Sequence, residues 1–126
     1  MDETEARAII TDHLNSAGID EVRGAEIYAD NAVLEFPQGR ERITGRADIV
    51  AMRTVYPAQI SISVERIIGR GDLWVNEYTI SYDGSPPQNV VSIMEFSDGR
   101  VCRERLYVCE PWEMPAWRAQ WVQPMT

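Results

Sequence analysis

The stretch Tyr28-Ala29-Asp30-Asn31-Ala32-Val33-Leu34-Glu35-Phe36-Pro37, with Gly45-Arg46-Ala47-Asp48-Ile49 soon after it, decides the fold. It reads as the end of a helix, a turn, a short strand, a loop and the start of a new helix. Asp30-Asn31 is turn chemistry, because short polar side chains bond nearby backbone and tolerate left-handed geometry. Val33 to Phe36 is a compact apolar run of strand type. Pro37 has no N–H and ends any ladder pairing. The arginines Arg40, Arg42 and Arg46 read as a solvated loop leading into the next helix.

Working outward, the spacing predicts a first helix from about Glu3 to Ala17. Asp2 caps it with Glu5 three residues on. Ala6, Ile9, Ile10, His13, Leu14 and Ala17 form one stripe at helical spacing, and Gly18 supplies a left-handed stop. A second helix, about Asp20 to Tyr28, starts at the cap residue Asp20 and is weakened by Gly24. A third, about Arg46 to Val55, buries Ile49, Met52 and Tyr56 and stops at Pro57. After Pro57 the period changes to two. Ile60, Ile62 and Val64 alternate with Ser61, Ser63 and Glu65, which is the pattern of a half-buried strand. Further strands are predicted over Leu73 to Tyr82, Val90 to Phe96 and Val101 to Val108, separated by turns at Gly69 to Asp72, Asp83 to Pro87 and Ser97 to Gly99. Helices followed by hairpin-linked strands make an α+β chain, with helices gathered on one face of an antiparallel sheet. Its 126 residues fit one domain around one core.

The opening stretch, with its Pro37, Gly45 and Ile49, resembles the Tyr-Ala-Asp-Asp-Ala…Pro…Gly…Ile signature of the nuclear transport factor 2-like superfamily. That superfamily includes ketosteroid isomerases, scytalone dehydratase, limonene epoxide hydrolase and the SnoaL-like polyketide cyclases. The resemblance covers nearly the whole chain in element order and length. It implies a cone-shaped curved antiparallel sheet with three N-terminal helices packed on it, the cystatin-like or nuclear transport factor 2-like fold, as a single SnoaL-like domain over residues 1–126. It also implies an internal pocket and a homodimer formed through sheet faces. The borrowed catalytic sets are missing. The ketosteroid isomerase base, tyrosine and protonated aspartate fall at Phe36, about Ile10 and near Ser92. The epoxide hydrolase network falls at Tyr78, Ile80 and Leu106. One histidine cannot supply the pair that scytalone dehydratase uses.

The strand parity names the expected pocket residues. Trp74, Asn76, Tyr78 and Ile80 share one face, as do Ser92 and Met94, and as do Cys102, Glu104, Leu106 and Val108. Ile10, His13, Phe36, Met52 and Tyr56 close the cone from the other side. This makes a mostly apolar cavity with a few polar groups, the usual form of a small-molecule site. Glu104 is expected inward, because the opposite parity would bury Arg103 and Arg105 at a larger desolvation cost. An inward acid in an apolar cone favours its neutral form. The candidate catalytic residues are therefore Glu104, Tyr78 and His13. The candidate ligand-binding residues are Phe36, Met52, Tyr56, Trp74, Asn76, Ser92, Met94 and Leu106. The reading is proton-transfer chemistry of isomerase, cyclase or dehydratase type on a small apolar carbonyl compound. A non-catalytic binding module or a structural dimer with a filled cavity is the alternative. Neither a metal nor a cofactor is called for, since one histidine and two separated thiols fit no zinc spacing.

A net charge of -8 argues against nucleic-acid and anionic-membrane partners, which need a basic footprint. No apolar run is long enough to cross a membrane. The acidic start Met1-Asp2-Glu3-Thr4-Glu5 lacks the pattern of a secretion signal, so a cytoplasmic location is expected. Cys102 and Cys109 sit on one predicted strand, roughly 23 Å apart at the usual strand rise, too far for a bridge. The segment from Pro111 to Trp121 carries Trp112, Trp117 and Trp121. A short helix with Pro115 in its first turn places Trp117 and Trp121 on one face. That much apolar area is expected to pack on the sheet or join a dimer contact, in preference to covering the pocket mouth.

Overall fold

The computed structural model describes residues 1–125. Helix α1 (Glu3–Ser16) and the short α2 (Glu21–Gly24) lead through a 3₁₀ turn (Ala25–Ile27) into strand β1 (Tyr28–Phe36). Strand β2 (Glu41–Thr44), helix α3 (Arg46–Thr54) and the strands β3 (Ile60–Arg70), β4 (Leu73–Tyr82), β5 (Gln88–Ser97) and β6 (Arg100–Cys109) follow, and a 3₁₀ helix (Ala116–Trp121) comes last. The six strands form one curved, open sheet in the order β2-β1-β6-β5-β4-β3. Its core joins α1 and α3 to the concave strand positions, including Ala6, Ile10, Leu34, Ile49, Trp74, Met94 and Val101. Among the described residues no helix is long and apolar enough to cross a membrane.

The α+β class, the first and third helices and the four long strands stand as the sequence predicts. Asp2 accepts from the Glu5 N–H at 2.9 Å and Asp20 from the Arg23 N–H at 3.1 Å, so both expected caps form. Gly18 holds φ +76 beyond α1.

The differences have local causes. The expected second helix stops at Gly24, and Tyr28 is the first residue of β1. Asp30-Asn31 makes no chain reversal. It lies within β1, where the register against β6 jumps between Tyr28↔Val101 and Val33↔Arg103. The turn-forming residues thus bend a strand, and Arg46 from α3 braces the bend by bonding Asp30 and, at 3.1 Å, the Tyr28 carbonyl. The expected loop after Pro37 contains β2, whose Arg42 bonds Glu35 across the hairpin at 3.2 Å. The helices are not all N-terminal, because α3 follows β2. The sheet is not wholly antiparallel, because β1 pairs with β6 in parallel. On β6 the register shifts opposite Glu95 and Phe96. Val101 takes the buried position there, while Cys102 turns half-buried and its Sγ donates to the Glu95 carbonyl at 3.3 Å. Cys102 and Cys109 are both free thiols.

The tryptophan segment does not pack on its own sheet. Trp112, Trp117 and Trp121 are 80%, 73% and 71% exposed. Pro115 is the cap and not the first turn of a helix of the 3₁₀ kind. In that geometry residues four apart point to different sides. Arg118 lies over the Trp112 and Trp117 rings at 6.0 and 5.9 Å.

Candidate functional site

The parity argument for the concave face holds on β4 and β5 and at Glu104, and fails at Cys102, where the register shift puts Val101 inward instead. On β4, Trp74, Asn76, Tyr78 and Ile80 are buried; on β5, Val90, Ser92, Met94 and Phe96 are buried. Glu104 is 1% exposed, so the final strand buries its glutamate and not its arginines. Whether a concave residue meets open space depends on α1. The N-terminal half of that helix plugs the end of the sheet where β4 begins. Arg7 lies over the Trp74 ring at 5.4 Å, and Ala6 and Ile10 are fully buried. The other end of the sheet stays open between the C-terminal part of α1, α3 and the far halves of β4 and β6. There a cavity of about 670 Å³ is lined by, among others, His13, Met52, Arg53, Tyr56, Ile62 and Tyr78.

Of the expected site residues, His13, Tyr78, Phe36, Met52, Tyr56 and Leu106 line this cavity. Glu104, Trp74, Asn76, Ser92 and Met94 do not line it; they lie in the plugged part of the core. The correction follows from the helix. Strand alternation tells which face a residue is on, but α1 decides how far along that face the open space extends.

The buried glutamate organises a polar floor. The Tyr28 hydroxyl donates to Glu104 Oε1 and the Ser92 hydroxyl donates to Oε2 at 2.5 Å. Asn76 Nδ2 donates to Ser92 Oγ at 3.4 Å, while its Oδ1 is buried without a partner among the described residues. The carboxylate is therefore met by donors, not by the apolar wall that its expected role assumed. The Arg53 Nη2 stands 4.0 Å from Glu104 Oε1, and the guanidinium lies 5.4 Å from the Tyr28 ring centre. Burial pulls the Arg53 pKa down, but Tyr28 and Glu104 outweigh it, and the group ends above its ordinary value. Arg53 is a fixed cation on the cavity wall.

His13 is held from the other side. Its Nδ1 lies 2.6 Å from the Gly24 carbonyl, which assigns the N–H to Nδ1 and leaves Nε2 as the acceptor. Its ring meets the Tyr28 ring edge-on at 5.6 Å. Burial and then the Arg53 charge lower its pKa below the ordinary 6.5, so the imidazole is neutral at neutral pH. Tyr28 and Tyr78 both have raised pKa values, burial being the main cause and the Glu104 charge contributing. Both stay neutral O–H donors. Nearer the opening, Tyr56 and Tyr82 stack at 5.6 Å, and burial followed by Tyr56 pushes Tyr82 up to about 12.

Sequence reasoning missed Tyr28 and Arg53. Tyr28 was hidden by its assignment to a helix end. Arg53 carried a visible signal, since it lies four residues after Ile49 and so falls on the apolar stripe of α3 with Met52. A charge in such a stripe has to be paired or functional. Among the described residues no group of three or more His, Cys, Asp or Glu side chains is placed to hold a metal ion.

Comparison with known proteins places this geometry. The family of SnoaL-like domains matches residues 6–104. A nuclear transport factor 2-like protein of unknown function from Burkholderia xenovorans is 40% identical, with 98% of each chain covered and a TM-score of 0.86. A candidate ketosteroid isomerase from Kribbella flavida is 27% identical, with 98% of this chain and 91% of that one covered and a TM-score of 0.87. An LEH-like epoxide hydrolase from M. tuberculosis shares the fold at 24% identity, with 83% of both chains covered and a TM-score of 0.71. No curated protein matches the chain.

Proposed function

Since the chain belongs to the SnoaL-like family of the nuclear transport factor 2-like superfamily, we propose that its cavity takes a small, largely apolar carbonyl compound and moves a proton on it. The reaction type would be isomerisation, cyclisation or dehydration. The observation that carries this reading is His13: a neutral imidazole on the wall of an apolar cavity, its Nδ1 spent on the Gly24 carbonyl and its Nε2 left to accept a proton. A base is useful when its position is fixed and its pKa lies near or below the working pH. Tyr78, a neutral donor on the same wall, would polarise the carbonyl. Glu104 has no access to the ligand in this scheme. It positions Tyr28 and Arg53 from beneath.

The ketosteroid isomerase set is not the route. Phe36 stands on the cavity wall where the resemblance places the base, Ile10 is fully buried, and Ser92 is bound to Glu104. That absence supports the second reading, a binding module without catalysis. A panel of cyclic ketones incubated with the protein in D₂O separates the two. Catalysed exchange of α-protons that falls by about 10²–10⁴-fold in H13Q supports the enzyme. Ketone binding with no exchange above background leaves the binding module. We also propose a homodimer, since the exposed tryptophans have no cover among the described residues, and a cytoplasmic location.

A further inference from the structure

Arg53 carries five N–H donors; the Tyr28 hydroxyl is placed to accept from it, while Glu104 stands at 4.0 Å, beyond hydrogen-bond range, so most of the fork is left without a protein acceptor among the described residues. Both glutamate oxygens are already taken by the Tyr28 and Ser92 hydroxyls. The ion pair thus neutralises Arg53 while leaving most of its donors unspent. The side chain is only 21% exposed, and what it is exposed to is the cavity. Bringing an arginine into an apolar pocket with most of its donors free costs desolvation that the protein returns only in part. A ligand acceptor would return the rest.

We infer that the ligand of this cavity is an apolar body ending in a carboxylate, with the carboxylate on the Arg53 guanidinium. The planar fork of arginine matches the two oxygens of a carboxylate. A phosphate is disfavoured. It brings close to two charges, and Arg53 is the one cation on the cavity wall among the described residues. The acidic groups at the mouth are already engaged: Asp20 accepts from the Arg23 N–H, and Glu21 from the Gly18 N–H at 2.5 Å. The apolar body would lie against Phe36, Met52, Ile62, Ile80 and Leu106. This rests on the proposed ligand-binding role of the cavity, but not on catalysis.

The test is calorimetry with matched probes of increasing chain length: phenylacetate, 3-phenylpropionate and 4-phenylbutyrate, each against its primary amide. At least one acid should bind about tenfold or more tighter than its amide, since charge-assisted pairs are the stronger ones. R53K keeps the charge, loses the fork and should narrow the gap. The double variant R53Q/E104Q removes both charges together, avoids a lone buried ion, and should abolish the preference while amide binding remains. Equal binding of acids and amides, no measurable binding of any acid, or a preference that survives in the double variant would overturn the inference. Failure of ketone α-proton exchange with the preference intact would instead remove only the catalytic reading.

Discussion

At the residue scale, His13 and Glu104 are polar residues in the core with opposite tasks. His13 is lowered by burial and by Arg53, so folding disfavours its protonated form. The sign follows: its contribution is fully present above pH 6.5 and is lost as pH falls through the lower folded value. Stability should drop as pH is lowered from 6.5 toward the folded value, and the H13Q variant should show a shallower slope in urea melts taken over the same range. Any α-proton exchange should keep its full rate down to pH 6.5 and fall only below it. Glu104 is a different case. Replacing it by Gln leaves Arg53 without its counter-charge and disturbs the Tyr28 and Ser92 bonds. We expect E104Q to lose about 3 kcal/mol, the low end for breaking a buried pair because Arg53 borders open space. A midpoint in denaturant close to the wild type would show that the pair contributes little. The inward glutamate was legible in the sequence from the cost of the alternative register. Its partners were not, because Tyr28 and Arg53 come from segments distant in the chain and only the folded sheet brings them together.

At the element scale, the meander was the most legible part. The alternation in Leu73–Tyr82 and Gln88–Ser97 is nearly unbroken, and a period of two admits few other readings. Strand β2 was invisible for the opposite reason. Glu41-Arg42-Ile43-Thr44 offers one apolar residue, and it is a strand because β1 presents a free edge beside it. The hairpin of β3 and β4 depends on a residue that composition alone would class with the turn. Gly69 is the last strand pair but one, opposite Trp74. A Cβ there would stand 2.3 Å from the Trp74 ring and 2.6 Å from the Leu73 carbonyl. The ring cannot retreat, being fully buried with its Nε1 bonded to the Gly71 carbonyl at 2.9 Å. G69A should therefore cost about 1–3 kcal/mol through overpacking. G71A is the control for packing, since open space surrounds Gly71, although its φ of +59 carries a backbone penalty of its own. Equal stability of G69A and the wild type in chemical denaturation would mean that the close approach is not held.

At the scale of the whole molecule, the chain leaves Trp112, Trp117 and Trp121 in solvent together with a half-exposed strip of Val75, Val91, Ile93 and Tyr107 on the outer face of the sheet. A second copy covering these surfaces would bury them at a gain of about 25 cal/mol per Å² of apolar area. Sedimentation should give a mass near twice the 14.3 kDa of the chain, and replacing the three tryptophans by serine should shift it toward the monomer. A monomer at all concentrations in the wild type would end the dimer reading.

The parallel pairing of β1 with β6 has a consequence for how the protein comes into being on the ribosome. It splits the sheet into two locally connected pieces, β1-β2-α3 and the meander from β3 to β6, and it is the one strand pairing that joins them. Each piece can begin to form from neighbours in sequence, but the seam needs β6, the last strand to be synthesised. Non-local closure of this kind is slow and comes late. Tyr28 and Arg53 belong to the early piece, Ser92 and Glu104 to the late one. The polar floor is thus assembled only when the seam shuts. A nascent chain halted before residue 100 would carry a meander in the making, an unmatched strand edge and an arginine whose counter-charge has not yet been made.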